Sequence, residues 1–292
     1  MKINIIGAGL SGLLCANMLR RHDVSIFEKQ KELPNNHHAV LRFRTPEIGN
    51  ILGINFKKVQ MLKTYVPYSN IVADSLSYSR KVTGMYRSDR SIVAGTVTAE
   101  RYIAPPDLID QMSKNVDIKY GANYNFKDSK IPTISTIPMP LLMDILGYNK
   151  SHSIGFDYKP GTVLIGTVQD CDAYISVLFP DPNIRTSRAT ITGNQLMLEY
   201  PNNDLPEAYD ISVIYPFLGL GDCFVYDVQI KKQNYFKITE INDAERKKFQ
   251  RWATVNHNVY ALGRYATWRP KLLLDDLIQD VKKIEGWMLG GQ

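Results

Sequence analysis

The residues best suited to chemistry lie in the first turn of the chain. Gly7, Ala8, Gly9, Leu10, Ser11 and Gly12 form a Gly-x-Gly-x-x-Gly turn between an apolar run, Lys2–Ile6, and a helical pattern, Leu13–Arg21. In such a turn the first glycine allows the sharp bend and the second admits a diphosphate close to the backbone. The third lets helix and strand pack together. The free N–H groups and positive dipole end of the helix then face the phosphates. Glu28 closes the next apolar run, Val24–Glu28, where a carboxylate can accept hydrogen bonds from both ribose hydroxyls of an adenosine. A strand, glycine turn, helix, strand and terminal acid within about thirty residues read as a dinucleotide-binding unit.

Late in the chain, Val259–Leu262 is an apolar strand pattern that runs into Gly263 and Arg264. Gly263 permits close backbone approach and Arg264 supplies a charge-assisted donor, so this segment repeats the phosphate-binding logic. Two arginine-bearing stretches are candidates for substrate contact. In His37–Arg44, alternation sets Leu41 and Phe43 against Arg42 and Arg44, which places both arginines on one face of a strand. His38 and Arg42 are catalytic candidates there, and metal ligation by the adjacent histidines is disfavoured because no acid or cysteine stands at ligand spacing. The second stretch is the turn Phe179-Pro180-Asp181 followed by Arg185 and Arg188, with Arg188 the third catalytic candidate. No metal site, P-loop or Ser-His-Asp arrangement is read.

Alternating strand and helix patterns at both ends of the chain must position these residues. Helix is expected from Pro105 to Met112, from Asp243 to Thr254 behind an Asn242 N-cap, and from Leu272 to Trp287; strand is expected over Val116–Tyr120 and Lys130–Ile137. The middle reads as β: Ser69–Ala73, Ser91–Thr98, Gly161–Val168, Ala173–Phe179, Ala189–Thr192, Gln195–Tyr200, Ile211–Tyr215 and Phe224–Ile230. Residues 34–50 read as loop. The expected fold is α/β: a Rossmann-like nucleotide domain, discontinuous over 1–50, 105–150 and 236–292, with an inserted β-rich substrate domain over 51–104 and 151–235.

Bulk composition sets the class. At 292 residues, with 44 % hydrophobic and 22 % charged residues, the chain has globular rather than disordered character. No apolar run approaches the roughly 20 residues of a membrane span, and no signal peptide is read, so a cytoplasmic setting is expected. Three scattered cysteines form no CxxC pair, which agrees with a reducing compartment. A net charge of +6 suits an anionic cofactor and an anionic substrate, and argues only weakly for a polyanion.

Ile3–Lys29, Thr133–Pro138 and Val259–Asp276 resemble three segments of the flavoproteins that include UDP-galactopyranose mutases and amine oxidases. The resemblance implies FAD as cofactor. Its adenosine and pyrophosphate would lie at the glycine turn, Glu28 and Lys29, and its ring near Arg44, Gly263, Arg264 and Leu274. Asn258–Asp276 is closest to the mutase version. The chain is short for that group, so a trimmed substrate domain is implied, and it has no second Gly-x-Gly-x-x-Gly for a nicotinamide domain. An oxidase that takes electrons from its substrate follows: a FAD-dependent oxidoreductase acting on a C–N bond of an anionic amine. Two alternatives stand beside it. One is a flavin-dependent sugar-nucleotide mutase. The other is a flavoenzyme that modifies nucleic acid, for example amine-bearing bases in phage DNA, with Arg42, Arg44, Lys57, Lys58, Lys231 and Lys232 on the phosphate backbone.

Overall fold

The computed structural model describes the chain apart from residues 34–40, 89–91, 127–129, 150–153, 202–205, 207, 222–223 and 291–292, and apart from the side chains of 208–210. The first sheet is wholly parallel. It is built from β1 (Lys2–Ile6), β2 (Asp23–Phe27), β6 (Asp117–Lys119), β7 (Thr133–Ser135) and β13 (Val259–Ala261), in the order β13-β7-β1-β2-β6. Ile3 and Ile5 of β1 are fully buried, packed in one cluster with α1 (Leu10–Met18), α4 (Leu108–Ser113) and α8 (Leu277–Met288). On the other face Ile6 and Val259 pack with α5 (Met139–Leu146) and α7 (Asp243–His257). A sheet buried on both faces by helices needs continuous apolar strands, and Ile3–Ile6 supplies one, interrupted only by Asn4, whose amide donates to the Tyr124 hydroxyl at 2.9 Å.

The second sheet is mixed. It comprises β3 (Arg42–Phe43), β4 (Lys57–Tyr65), β5 (Val97–Ile103), β8 (Tyr158–Val168), β9 (Ala173–Leu178), β10 (Arg188–Gly193), β11 (Gln195–Pro201) and β12 (Val225–Ile238), in the order β12-β8-β11-β10-β9-β4-β5-β3. Only the β4–β9 pair is parallel. The fold is thus α/β, a parallel Rossmann-like sheet joined to a mixed sheet, as the sequence patterns imply. β3, though it lies within residues 1–50, pairs with β5 in the mixed sheet.

Three strand expectations are corrected. Of the described residues in Ser91–Thr98 only Val97 and Thr98 are strand, at the start of β5, because Gly95 turns the chain with φ +76° just before it. Ser69–Ala73 enters α3 (Ile71–Thr83), because the Asn70 side chain accepts from the N–H groups of Val72 and Ala73 and so starts a helix. Ile211–Tyr215 lies inside α6 (Ala208–Leu218). Its apolar residues at 211, 214, 215 and 218 also fit a helical period, and Ile214 and Leu218 are the buried ones. Two further helices arise where none is expected. α2 (Glu47–Leu52) ends on Gly53 in the left-handed conformation, and α5 begins just after Pro138, with a proline in its first turn, where that residue is tolerated. The Asn242 cap of α7 forms as read, accepting from Ala244 and Glu245 N–H.

Candidate functional site

The glycine turn forms a cradle at the N-terminus of α1. Gly7 has φ +99°, and a Cβ there would lie 2.3 Å from Thr136 Oγ1. A Cβ on Gly12 would lie 2.0 Å from the Gly7 carbonyl oxygen, so helix and turn meet as the motif demands. Gly9 differs: nothing lies within 4 Å of its Cβ position. Among the described residues nothing packs against that position, so the protein's own packing does not require glycine there. No side chain caps α1, leaving the first N–H groups of the helix, on Leu10, Ser11 and Gly12, without intrahelical acceptors.

Glu28 is buried at the end of β2. Its Oε2 accepts from Ala8 N–H at 2.8 Å and its Oε1 from Gln30 N–H at 2.9 Å. The carboxylate is held rigidly beside the glycine turn, and each oxygen keeps a further lone pair for a hydroxyl. Lys29 follows it and is exposed. Glu28→Ala is expected to lower dinucleotide affinity roughly ten- to a hundredfold, the worth of hydrogen bonds to a charged group. Equilibrium titration of the apoprotein measures it, and unchanged affinity would place the ribose elsewhere.

The late glycine segment closes over this cradle. Gly263 has φ +96°, and a Cβ there would lie 2.8 Å from Ser11 Oγ. Arg264 next to it donates to the Pro270 carbonyl and is half-buried. The chain continues through Leu273, Leu274 and Asp275, which carry it toward the mixed sheet. Leu274 packs near Leu10, Leu14 and Phe43. Asp275 Oδ1 accepts from the N–H groups of Arg44 and Thr45 at 3.0 and 3.2 Å, tying this segment to the end of β3.

Leu273 borders a second feature, an open cleft of about 390 Å³ on the mixed sheet. Arg42 from β3, Lys63 from β4, Arg101 from β5 and Arg188 from β10 all line it. Strand register explains this convergence: Arg42 stands opposite Ile103, two residues from Arg101, and Arg101 stands opposite Val59, whose face Lys63 shares. Lys63 then pairs with Ser176 and Arg188 with Leu178, so the row continues on the same face across β9 and β10. Ile92, Val93 and Val97 give the cleft an apolar rim.

Crowded cations disfavour their own charge. Burial, then the neighbouring Arg188 and Arg101, bring the Arg42 guanidinium down to about 10; Glu199 acts in the opposite direction. Lys63 is lowered by burial and by Arg101, Arg42, Arg44 and Arg188. Arg188 also suffers burial, yet its ion pair with Glu199 more than offsets this and holds it charged. Glu199 stands directly opposite Arg188 in β11, and Lys237 approaches it at 3.5 Å. Despite burial these two cations hold its carboxyl down at about 2. Lys81 of α3 fixes the loop ahead of Arg188, its ammonium donating to the carbonyls of Phe179, Asp181, Ile184 and Thr186.

Of the residues singled out in the sequence, the structure thus gathers Gly7 to Gly12, Glu28, Gly263 and Leu274 around one cradle, and Arg42 and Arg188 in the adjoining cleft. Arg44 is exposed beside it. His38, with His37, lies outside the described residues. Lys63, Arg101 and Glu199 escape sequence reading, because only strand register brings them together. The lysines considered for a nucleic-acid backbone are spread out. Lys57 and Lys58 on β4 pair with Asp172 and Glu100, while Lys231 and Lys232 lie on β12, at the far edge of the sheet with four strands between. Among the described residues no cluster of His, Cys, Asp and Glu suits a metal ion, and no helix is long and apolar enough to cross a membrane.

Residues 5–36 match the family description NAD(P)-binding Rossmann-like domain. The chain carries a dinucleotide-binding Rossmann domain. No curated protein matches the sequence. Among solved structures the fold is similar to that of reduced UDP-galactopyranose mutase, with a TM-score of 0.68 at 15 % identity over 98 % of this chain and 95 % of that one. Glycine oxidase from Bacillus cereus ATCC 14579 aligns with a TM-score of 0.58 at 13 % identity, over 100 % of this chain and 95 % of the other. An oxidoreductase from Methanosarcina mazei aligns at 0.56 and 12 % identity, over 98 % and 100 % of the two chains. At such identities the likeness is one of fold: the two-sheet architecture of flavoprotein oxidoreductases, built around the dinucleotide cradle.

Proposed function

We propose that this chain is a FAD-dependent oxidoreductase that oxidises a C–N bond of an amine carrying an anionic group, with the substrate as electron donor. The observation that carries the reading is the cleft of four basic side chains, Arg42, Lys63, Arg101 and Arg188, joined to the dinucleotide cradle by the segment from Gly263 to Asp275. The cradle fits FAD. Gly9 leaves open space for the pyrophosphate, the helix presents free N–H groups, and Glu28 has lone pairs for the ribose. When bound, the flavin supplies the acceptor for a hydride equivalent. The chain's own residues bind and orient. The cations hold the anionic end of the substrate, and the apolar rim of Ile92, Val93 and Val97 covers its remainder. A neutral amine needs no dedicated protein base, so the site can work by orientation and electrostatics alone. The amine is either a free small molecule or one borne on a nucleic-acid base.

The same cleft supports a second reading. Four cations exceed what one carboxylate requires and would suit a diphosphate, as in a sugar-nucleotide mutase acting with reduced flavin.

The purified protein is expected to be yellow, with FAD bound noncovalently. Anaerobic addition of the correct anionic amine should bleach the flavin, whereas a mutase substrate should leave oxidised flavin unbleached and turn over only after prior reduction. A colourless protein that FAD cannot reconstitute would overturn both readings.

A further inference from the structure

Beside the cleft, buried behind Arg188, lies one charge that no substrate-binding role requires. Glu199 is 5 % exposed, faces the cationic row by register, and contacts Arg188 on one side and Lys237 on the other. Among the described residues Arg188 Nε is buried without a hydrogen-bond partner, so the ion pair with Glu199 is the contact that holds the guanidinium. Four like charges around an open cleft repel, and the cost is greatest when the cleft holds no anion.

We infer that Glu199 is a positioning residue that stands in for the substrate's anionic group: it holds Arg188 and Lys237 in place in the empty cleft and competes with the ligand for Arg188 in the filled one. This rests on the proposed reading that the cleft takes an anion. Two consequences follow. First, the cleft is preorganised before substrate arrives, because the guanidinium has a fixed partner and a fixed direction. Second, the affinity for anions is held down, since any incoming anion shares Arg188 with a resident carboxylate. An enzyme that must release an anionic product gains from such a limit.

A merely structural Glu199 would lower stability in any buffer, whereas a stand-in for the ligand can be replaced by the ligand. The test is thermal unfolding of the FAD-loaded protein, its cradle filled, across a series of inorganic pyrophosphate concentrations. Wild type should gain Tm with pyrophosphate, and Arg101→Gln should lose that gain, which locates the anion in the cleft. Glu199→Gln should melt lower than wild type without anion and recover most of the difference with it. Its apparent Kd for pyrophosphate should be roughly tenfold tighter, as expected for one nearby opposing charge removed at the effective dielectric of a partly buried site. Equal or weaker pyrophosphate affinity in Glu199→Gln would overturn the inference while leaving the anion cleft intact. No response in wild type would overturn the anion cleft itself. If Glu199→Gln does not fold, Glu199→Asp withdraws the charge from Arg188 and should tighten binding roughly threefold by the same electrostatics; unchanged affinity would refute the role.

Discussion

Gly9→Val is expected to give a folded, colourless protein. The Gly9 backbone lies at φ −72° and ψ 177°, an extended conformation open to any residue, and no atom of the described residues lies within 4 Å of the Cβ position. A valine there meets no protein atom at its Cβ, so Tm should stay within a few degrees of the apoprotein value. The side chain would instead project where the pyrophosphate must approach the backbone. Loss of that approach should weaken FAD binding at least a hundredfold, which corresponds to about 2.7 kcal/mol. Gly12→Ala provides the contrast. Its Cβ would stand 2.0 Å from the Gly7 carbonyl oxygen, so turn and helix must separate and the fold itself should lose stability. Flavin absorbance after gel filtration and Tm of the apoproteins measure both effects. Retention of FAD by Gly9→Val would show that the cofactor does not use this cradle.

Arg42→Gln should cost substrate binding rather than cofactor. Arg42 is half-buried in the cleft, with Nη1 3.0 Å from Met61 Sδ. Truncating one partner of a largely desolvated charge pair costs about 2–4 kcal/mol, so kcat/KM should fall roughly 30- to 1000-fold, chiefly through KM. The FAD spectrum should not change. The same residue sets an alkaline limit. Burial and neighbouring cations bring Arg42 down to about 10 and lower Lys63 as well. Arg42 loses its proton as pH rises through about 10, and Lys63 is shifted in the same direction. KM for an anionic substrate should therefore rise toward pH 10. In Arg42→Gln the alkaline rise should shrink, because one of the titrating groups is gone. Steady-state kinetics with a flavin-bleaching amine read both effects; an unchanged KM would remove Arg42 from the substrate site.

How much of this was legible in the chain differs between the two halves of the site. The cradle is local. Its turn, helix and acid lie within one strand–helix–strand unit, Lys2–Glu28, and glycine spacing, apolar runs and a terminal acid are properties of neighbours in sequence. Glu28 is thus placed beside Ala8 by a parallel pairing whose register follows from the short crossover. Even Gly263, far along the chain, is marked by the apolar strand before it, although its contact with Ser11 is a matter of packing.

The cleft is not local. Lys63, Arg101 and Glu199 sit on strands whose partners are set by an unusual order, with β4 parallel to β9 and β3 at the sheet edge. Each reads alone as an ordinary charged strand residue, because alternation fixes which side of a strand a residue occupies but not which strand stands next to it. The turn from apparent strand to helix at Ile71–Thr83 is in part local, since the Asn70 cap starts α3, and in part tertiary, since Lys81 reaches carbonyls ahead of Arg188 about a hundred residues away. Sequence alone determined that a dinucleotide cradle begins the chain, since its geometry is written in adjacent residues. Tertiary structure decided that four basic side chains and one buried carboxylate meet beside it, since only the pairing of distant strands brings like charges close enough to require a counter-charge.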